Sequence, residues 1–271
     1  MSSADTERSR DDADPEREPS ALAEVRGWVA AARRIVVLTG AGISTDSGIP
    51  DFRGPQGVWT RDPQAERQST LQHYLGDPAV RRAAWQSRLH HPAWSARPNR
   101  AHEALVALER RDRLRALITQ NIDGLHQRAG HSPDKIIEVH GTVHRVMCWQ
   151  CGERQPTPRV LDRVRAGDVD PACLACGGIL KSDTISFGQA LVPAVIERAL
   201  RVAGEADLLL AVGSTLQVFP AAAVVPAASA AGARTVILNG EPTAMDGEVD
   251  RVLRGAIGRW LPALLDAEPA A

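Results

Sequence analysis

The stretch Arg34-Ile-Val-Val-Leu-Thr-Gly-Ala-Gly-Ile-Ser-Thr-Asp-Ser-Gly-Ile-Pro-Asp-Phe-Arg53 decides the fold, because an apolar β-branched run empties directly into a turn of glycines and hydroxyls. Ile35, Val36, Val37 and Leu38 are too continuous for a half-exposed strand and suit a parallel strand covered on both faces. Gly40 and Gly42 let the backbone turn sharply and approach a ligand. Ser44 and Thr45 are expected to open the next helix, whose unpaired N–H groups and dipole would face a pyrophosphate. The pattern, Gly-x-Gly-x5-Gly ending at Gly48, departs from the dinucleotide fingerprint Gly-x-Gly-x-x-Gly. A tight strand-to-helix turn with no ligand would carry the same first glycine pair, so the rest of the chain has to decide between them.

Upstream, Leu22, Val25, Trp28, Val29 and Ala32 space an amphipathic helix with Ser20 as its N-cap. Downstream, residues 50–98 hold no sustained period and read as a long excursion with short helices, a length usually reserved for function. Regularity resumes after Asn99 with Ala101, Leu105 and Leu108 on one helical face, then a strand over 114–119. Gln120, Asn121, Ile122 and Asp123 follow that strand, and a second short strand over 135–139 delivers His140 and Gly141 to the same edge. Open α/β sheets bind ligands at the C-terminal ends of their strands, so both groups are well placed for contact. A helix over 193–202 closed by Gly204, a buried strand over 208–212, the turn Gly213-Ser214-Thr215 and a strand over 236–238 continue the rhythm. Asn239, Gly240 and Glu241 leave that last strand, and a helix over 256–265 packs Ile257, Trp260, Leu264 and Leu265 on one face.

At 271 residues the chain is long enough for one large α/β domain with a small satellite. The net charge of −1 gives no overall field to recruit nucleic acid or an anionic membrane, and no direct nucleic-acid binding is expected. No apolar run approaches a bilayer span and the N-terminus lacks a basic-then-apolar signal, so a cytoplasmic protein is expected. Residues 1–18 carry ten charges and no large apolar side chain, a composition expected to stay disordered.

Cys148-Trp-Gln-Cys151 and Cys173-Leu-Ala-Cys176 are two C-x2-C knuckles separated by 21 residues, a spacing that suits tetrahedral zinc on four thiolates. Four thiolates fill the coordination sphere, so the metal is expected to hold a small lobe together and do no chemistry. The chain has no Gly-x-Ser-x-Gly elbow, His-Glu-x-x-His or Walker lysine, which argues against esterase, metalloprotease and phosphoryl-transfer readings. His140 is the best general base by position, with Asn121 and Asp123 beside it, and His126 reads as a supporting or structural residue. Asp51 and Arg53 either pair with each other to order the first loop or touch ligand.

Taken together, Gly40-Ala41-Gly42-Ile-Ser44, the Gly48-to-Arg53 run, Gln120-Asn-Ile-Asp123, His140-Gly141, the two knuckles, Gly213-Ser-Thr215 and Asn239-x-Glu241 resemble the sirtuin family, in order from about Ile35 to Leu265. The resemblance implies an α/β fold: a Rossmann-like parallel sheet with helices on both faces, plus a small zinc-binding lobe. The corresponding division is a tail over 1–18, an NAD-binding domain over 19–140 and 184–268, and a zinc module over 141–183. It also implies NAD-dependent removal of acyl groups from protein lysines, giving nicotinamide and O-acyl-ADP-ribose. Gly40, Ala41, Gly42 and Ser44 would then hold the NAD diphosphate region, with Asp51, Phe52, Arg53 and Trp59 in the loop that folds over NAD. Gln120, Asn121, Ile122 and Asp123 would line the nicotinamide and ribose pocket. Gly213, Ser214 and Thr215 would meet phosphate and ribose, Asn239, Gly240 and Glu241 the adenosine ribose, and Ala256 and Ile257 the adenine. His140 would be the catalytic base with Asn121 orienting the ribose or its water, and Ile185, Ser186, Phe187 and Gly188 would border an acyl-lysine peptide. Gln189 stands where many relatives have Glu, and Gly-Ser-Thr where Gly-Thr-Ser is common.

The resemblance also addresses the acyl group. Sirtuins that prefer succinyl or malonyl carry Tyr-x-x-Arg where this chain has Trp85-Gln-Ser-Arg88, so acetyl or another neutral acyl group is expected. Rival readings are protein mono-ADP-ribosyl transfer on the same NAD site, a non-catalytic NAD or ADP-ribose sensor, and a dehydrogenase that lacks its fingerprint.

Overall fold

In the computed structural model residues 19–51, 57 and 67–266 are described; the tail over 1–18 and Phe52, Arg53 and Trp59 lie outside them. The opening run forms β1, Ile35–Thr39, and its periodicity explains why it is apolar throughout. Ile35 and Val37 point into one core with the helices Pro19–Ala31, Arg100–Arg110 and Ile257–Leu265. Val36 and Leu38 point into a second core with the helices Pro193–Ala203 and Val224–Ala230 on the opposite face. Successive strand side chains alternate faces, and with both faces covered neither set can be polar.

The other strands are β2 (Leu114–Thr119), β3 (Ile136–Glu138), β4 (Gly141–Cys148), β5 (Arg154–Pro156), β6 (Leu180–Thr184), β7 (Leu208–Val212), β8 (Arg234–Leu238) and β9 (Arg251–Leu253). The large sheet runs β3-β2-β1-β7-β8-β9 and every pairing in it is parallel. The chain winds outward from β1 one way to β3, then returns to start the other half at β7. The crevice between the C-terminal ends of β1 and β7 is therefore the topological switch point, where open sheets of this kind bind ligands.

A second, antiparallel sheet of order β5-β4-β6 carries the cysteines. Its core joins Val146, Leu180 and the helix Thr157–Arg165, through Val160, Leu161 and Val164, to Trp85 of the helix Pro78–Leu89. The long excursion thus sends its three-turn helix across to the small sheet. Trp85 is fully buried there, and that single side chain ties together segments distant in sequence.

Several local expectations shift. The first helix begins at Pro19, so Ser20 lies inside it. The segment after β1 is a 3₁₀ helix, Ala41–Ser47, which starts before Ser44 and Thr45, and Gly48 in the left-handed region ends it. Gly48 is thus a helix cap. The strand β9, three residues long among charged neighbours, and the helix Thr157–Arg165 inside the cysteine module were not read from the sequence.

Candidate functional site

The switch point is built by two glycine turns packed backbone to backbone. Gly40 N–H donates to the Val212 carbonyl (3.0 Å) and Gly42 N–H to the Gly213 carbonyl (2.8 Å). A Cβ on Gly40 would lie 2.6 Å from the Gly213 oxygen, and one on Gly213 would lie 2.5 Å from the Ile43 nitrogen. These glycines are needed first for the approach of the two loops to each other. With Ile43 N–H donating to Gly40 O, the amides of Gly40, Gly42 and Ile43 are spent inside the protein, so these three are not among the N–H groups the turn was expected to present to a ligand. Gly213 also holds φ +67°. Gly213→Ala is therefore expected to cost on the order of 3 kcal/mol from left-handed strain plus overlap, read as a lower urea midpoint. An unchanged midpoint would contradict this packing.

Above that base lies a cleft of about 1380 Å³, larger than the space a single small ligand usually occupies. It is lined from the first loop by Ala41, Gly42, Ser44 and Asp51, and from the end of β2 by Gln120, Asn121, Ile122 and Asp123. His140 after β3, Gly213, Ser214 and Thr215 after β7, and Asn239, Gly240 and Glu241 after β8 also line it. Ala256, Ile257 and the run Ile185, Ser186, Phe187 and Gly188 complete the sequence-derived set among the described residues, while Gly40 sits beneath it. Sequence reasoning missed Val218, Phe219 and Ser69, which also face the cleft. Phe219 is an exposed aromatic just past the end of β7, and that position was the available signal.

Polar contacts fix the floor. Gln120 Nε2 donates to Ser214 Oγ across the switch point (3.0 Å). Ser44 Oγ donates to Asp123 Oδ2 (2.8 Å), whose other oxygen accepts the Leu125 N–H (2.9 Å). Burial raises the Asp123 pKa, opposed by those two hydrogen bonds. Its carboxylate thus braces the loop internally.

His140 is half-buried and its Nδ1 lies 3.0 Å from the Gln120 carbonyl oxygen. A carbonyl only accepts, so Nδ1 carries the proton and Nε2 is left with its lone pair. Burial lowers the His140 pKa below 6.5, partly offset by that hydrogen bond, and the ring is neutral at pH 7.

The four cysteines are free thiols whose sulfurs all lie within 4.8 Å of one another. Cys148 and Cys176 sulfurs are 3.5 Å apart and those of Cys151 and Cys173 3.8 Å. Zinc–sulfur bonds of about 2.3 Å require a tetrahedral edge of about 3.8 Å, so the donor set fits zinc with no position left for water.

These features define a class: a Rossmann-type α/β protein with a four-thiolate lobe and a large cleft at its switch point. The Sir2 family model matches residues 40–220. The chain is 49% identical over 231 residues to NAD-dependent protein deacetylase 2 of Streptomyces coelicolor, covering 85% of this chain and 96% of that one. It is 40% identical over 231 residues to the NAD-dependent protein deacetylase of the archaeon Sulfurisphaera tokodaii, covering 85% and 89%. A Sir2 protein solved with a deacetylated p53 peptide and 3′-O-acetyl-ADP-ribose superposes with TM-score 0.82 at 30% identity, covering 90% of this chain and 97% of that one. The chain belongs to the Sir2 family.

Proposed function

We propose that this protein is an NAD-dependent protein-lysine deacylase that transfers acetyl or another neutral acyl group from lysine to ADP-ribose. The observation that carries the reading is His140, neutral, with Nδ1–H tied to the Gln120 carbonyl and Nε2 bare, on the wall of the cleft that Asn121 also lines. NAD, when bound, supplies the ribose carbon that loses nicotinamide and the hydroxyl that receives the acyl group. His140 Nε2 takes the proton from that hydroxyl. The glycine turns, Gln120 and Ser214 hold the cofactor's central part, and Asn239 with Glu241 its adenosine end. The acyl-lysine peptide lies along Ile185 to Gly188, and the lobe's zinc has no part in the chemistry. The tail over 1–18, the cofactor domain over 19–140 and 184–268 and the zinc module over 141–183 form the proposed division, with the helix Pro78–Leu89 of the first domain's excursion packed into the module's core. Among the described residues no helix is long and apolar enough to cross a membrane. Cytoplasmic residence belongs to the same proposal, supported by four cysteines held as clustered thiols, as a reducing compartment keeps them.

The test is to incubate the protein with NAD and an acetyl-lysine peptide and identify products by mass spectrometry. Nicotinamide, free lysine and O-acetyl-ADP-ribose support deacylation. A mass gain on protein would replace it with ADP-ribosyl transfer, NADH with oxidoreduction, and no change with a sensor.

The pH profile gives a second check. Protonating His140 removes its lone pair, and because burial lowers its pKa, the acid limb of turnover is expected to centre below pH 6.5. An acid limb centred above 6.5 would mean another base.

Acyl preference depends on Trp85 and Arg88. Trp85 is wholly inside the small-lobe core and its Nε1 faces no partner, so it cannot serve as the second donor of a carboxylate clamp. Arg88 lines the cleft, but its Nε donates to Ser182 Oγ (2.7 Å) and its guanidinium stacks on Trp85 and Tyr74 at 4.7 and 5.2 Å. Tyr74 OH in turn gives its proton to the Leu180 carbonyl (2.8 Å). Matched acetyl, butyryl and succinyl peptides are expected to show kcat/KM highest on the neutral chains. A succinyl preference of about tenfold, about 1.4 kcal/mol, that vanishes in Arg88→Met would overturn this.

A further inference from the structure

Behind the cleft floor three histidine rings pack against one another at steep angles in the interior. His126 lies between His102 and His131, with ring centroids 4.8 and 5.7 Å away, and all three are buried. His126 is the one wired toward the cleft. Its Nε2 is 3.0 Å from Thr39 Oγ1, and Thr39 Oγ1 donates to Thr119 Oγ1 at 2.9 Å. Thr119 Oγ1 accepts the Asn121 N–H at 3.0 Å.

Nδ1 of His126 faces no partner, and a buried N–H left unpaired there would be costly, so the proton belongs on Nε2; Thr39 Oγ1 accepts it and gives its own proton to Thr119. Burial keeps the ring neutral. Thr39 and Thr119 are register partners at the last positions of β1 and β2. The line therefore crosses the two strand ends just where the chain turns into the cleft.

At its far end, Asn121 Nδ2 donates to the Gly40 carbonyl (3.0 Å) and to Ser44 Oγ (3.2 Å). Both amide hydrogens are thus spent, and the atom Asn121 offers to the cleft is its acceptor, Oδ1. Where that oxygen sits depends on where the main chain at 121 is held, and the Thr119 hydroxyl holds it.

We infer that His126 is a positioning residue: through Thr39 and Thr119 it fixes the main chain of Asn121, and with it the acceptor that side chain presents to the bound ribose or its water. This rests on the deacylase reading above. A displacement of about 1 Å at a reacting centre costs on the order of 10²-fold, and none of Thr39, Thr119 and His126 lines the cleft, so loss of the line should fall on turnover.

The test measures NAD-dependent deacetylation of an acetyl-lysine peptide by His126→Phe, His126→Gln, Thr39→Val and the Thr39→Val/His126→Phe pair, with thermal unfolding alongside. His126→Phe and Thr39→Val are each expected to lower kcat about 10- to 30-fold with KM for NAD and peptide within about threefold of wild type. The pair should lose no more than either alone, because both cut one line. His126→Gln, which keeps an amide donor, should regain most of the rate. Thr39→Val, a near-isosteric change, keeps the test open where His126→Phe fails to fold. Wild-type kcat in Thr39→Val, a loss confined to KM, or additive losses in the pair would each overturn the inference. A wild-type protein inert toward NAD and peptide would overturn the deacylase reading instead, before any variant is compared.

Discussion

His140→Ala is expected to lose the acylated ADP-ribose product while still binding acyl-peptide in an NAD-dependent way. The expectation follows from the ring's wiring: Nδ1–H is anchored on the Gln120 carbonyl and the free Nε2 is the base. Removing a positioned base costs on the order of 10² to 10⁴ in rate. The peptide run from Ile185 to Gly188 and the glycine turns do not depend on the imidazole, so binding should survive. Binding is read by calorimetry with a non-hydrolysed peptide and the product by mass spectrometry. Wild-type-like turnover in this variant would remove His140 from the mechanism.

Cys173→Ser should abolish stoichiometric zinc and loosen the small lobe. Structural zinc contributes on the order of 10 kcal/mol to folding such a module. Cys173 and Cys148 also sit in the apolar cluster with Trp85, Val146 and Leu180. Their loss should therefore reach the helix Pro78–Leu89 and, through Arg88 and Ser182, one wall of the cleft. Metal analysis gives the zinc content, and hydrogen exchange over residues 141–184 gives the loosening. The parallel sheet should keep its protection, since its two cores share no residue with that cluster. Full zinc content in the variant would sink the four-thiolate assignment.

Local pattern made much of this legible. The run Ile35 to Leu38 announced a strand covered on both faces, because side chains alternate and an apolar residue at every position needs a core on each side. The knuckle spacing announced the metal lobe, because C-x2-C turns bring their own sulfurs together and only the pairing of the two knuckles is long-range. His140 and the Gln120-to-Asp123 run were found by their place at strand exits, a rule that needs strand ends and no coordinates.

Other features depended on atoms far apart in sequence. Which groups the glycines of the first turn approach was decided by β7 lying beside β1: it is the Gly213 backbone that excludes a Cβ there. Trp85 stands in sequence where succinyl-preferring relatives carry Tyr, and only the packing showed that the small sheet takes its ring into a core and leaves Arg88 on the cleft. The Nδ1–H tautomer of His140 came from a carbonyl 20 residues away, and the His126 line to Asn121 from two threonines brought together by strand register. Sequence determined which elements form and which chemistry is available, because propensity, periodicity and ligand spacing act over a few residues. Tertiary structure decided where each donor and acceptor points, because buried polar groups take their partners from whatever the packing brings within reach.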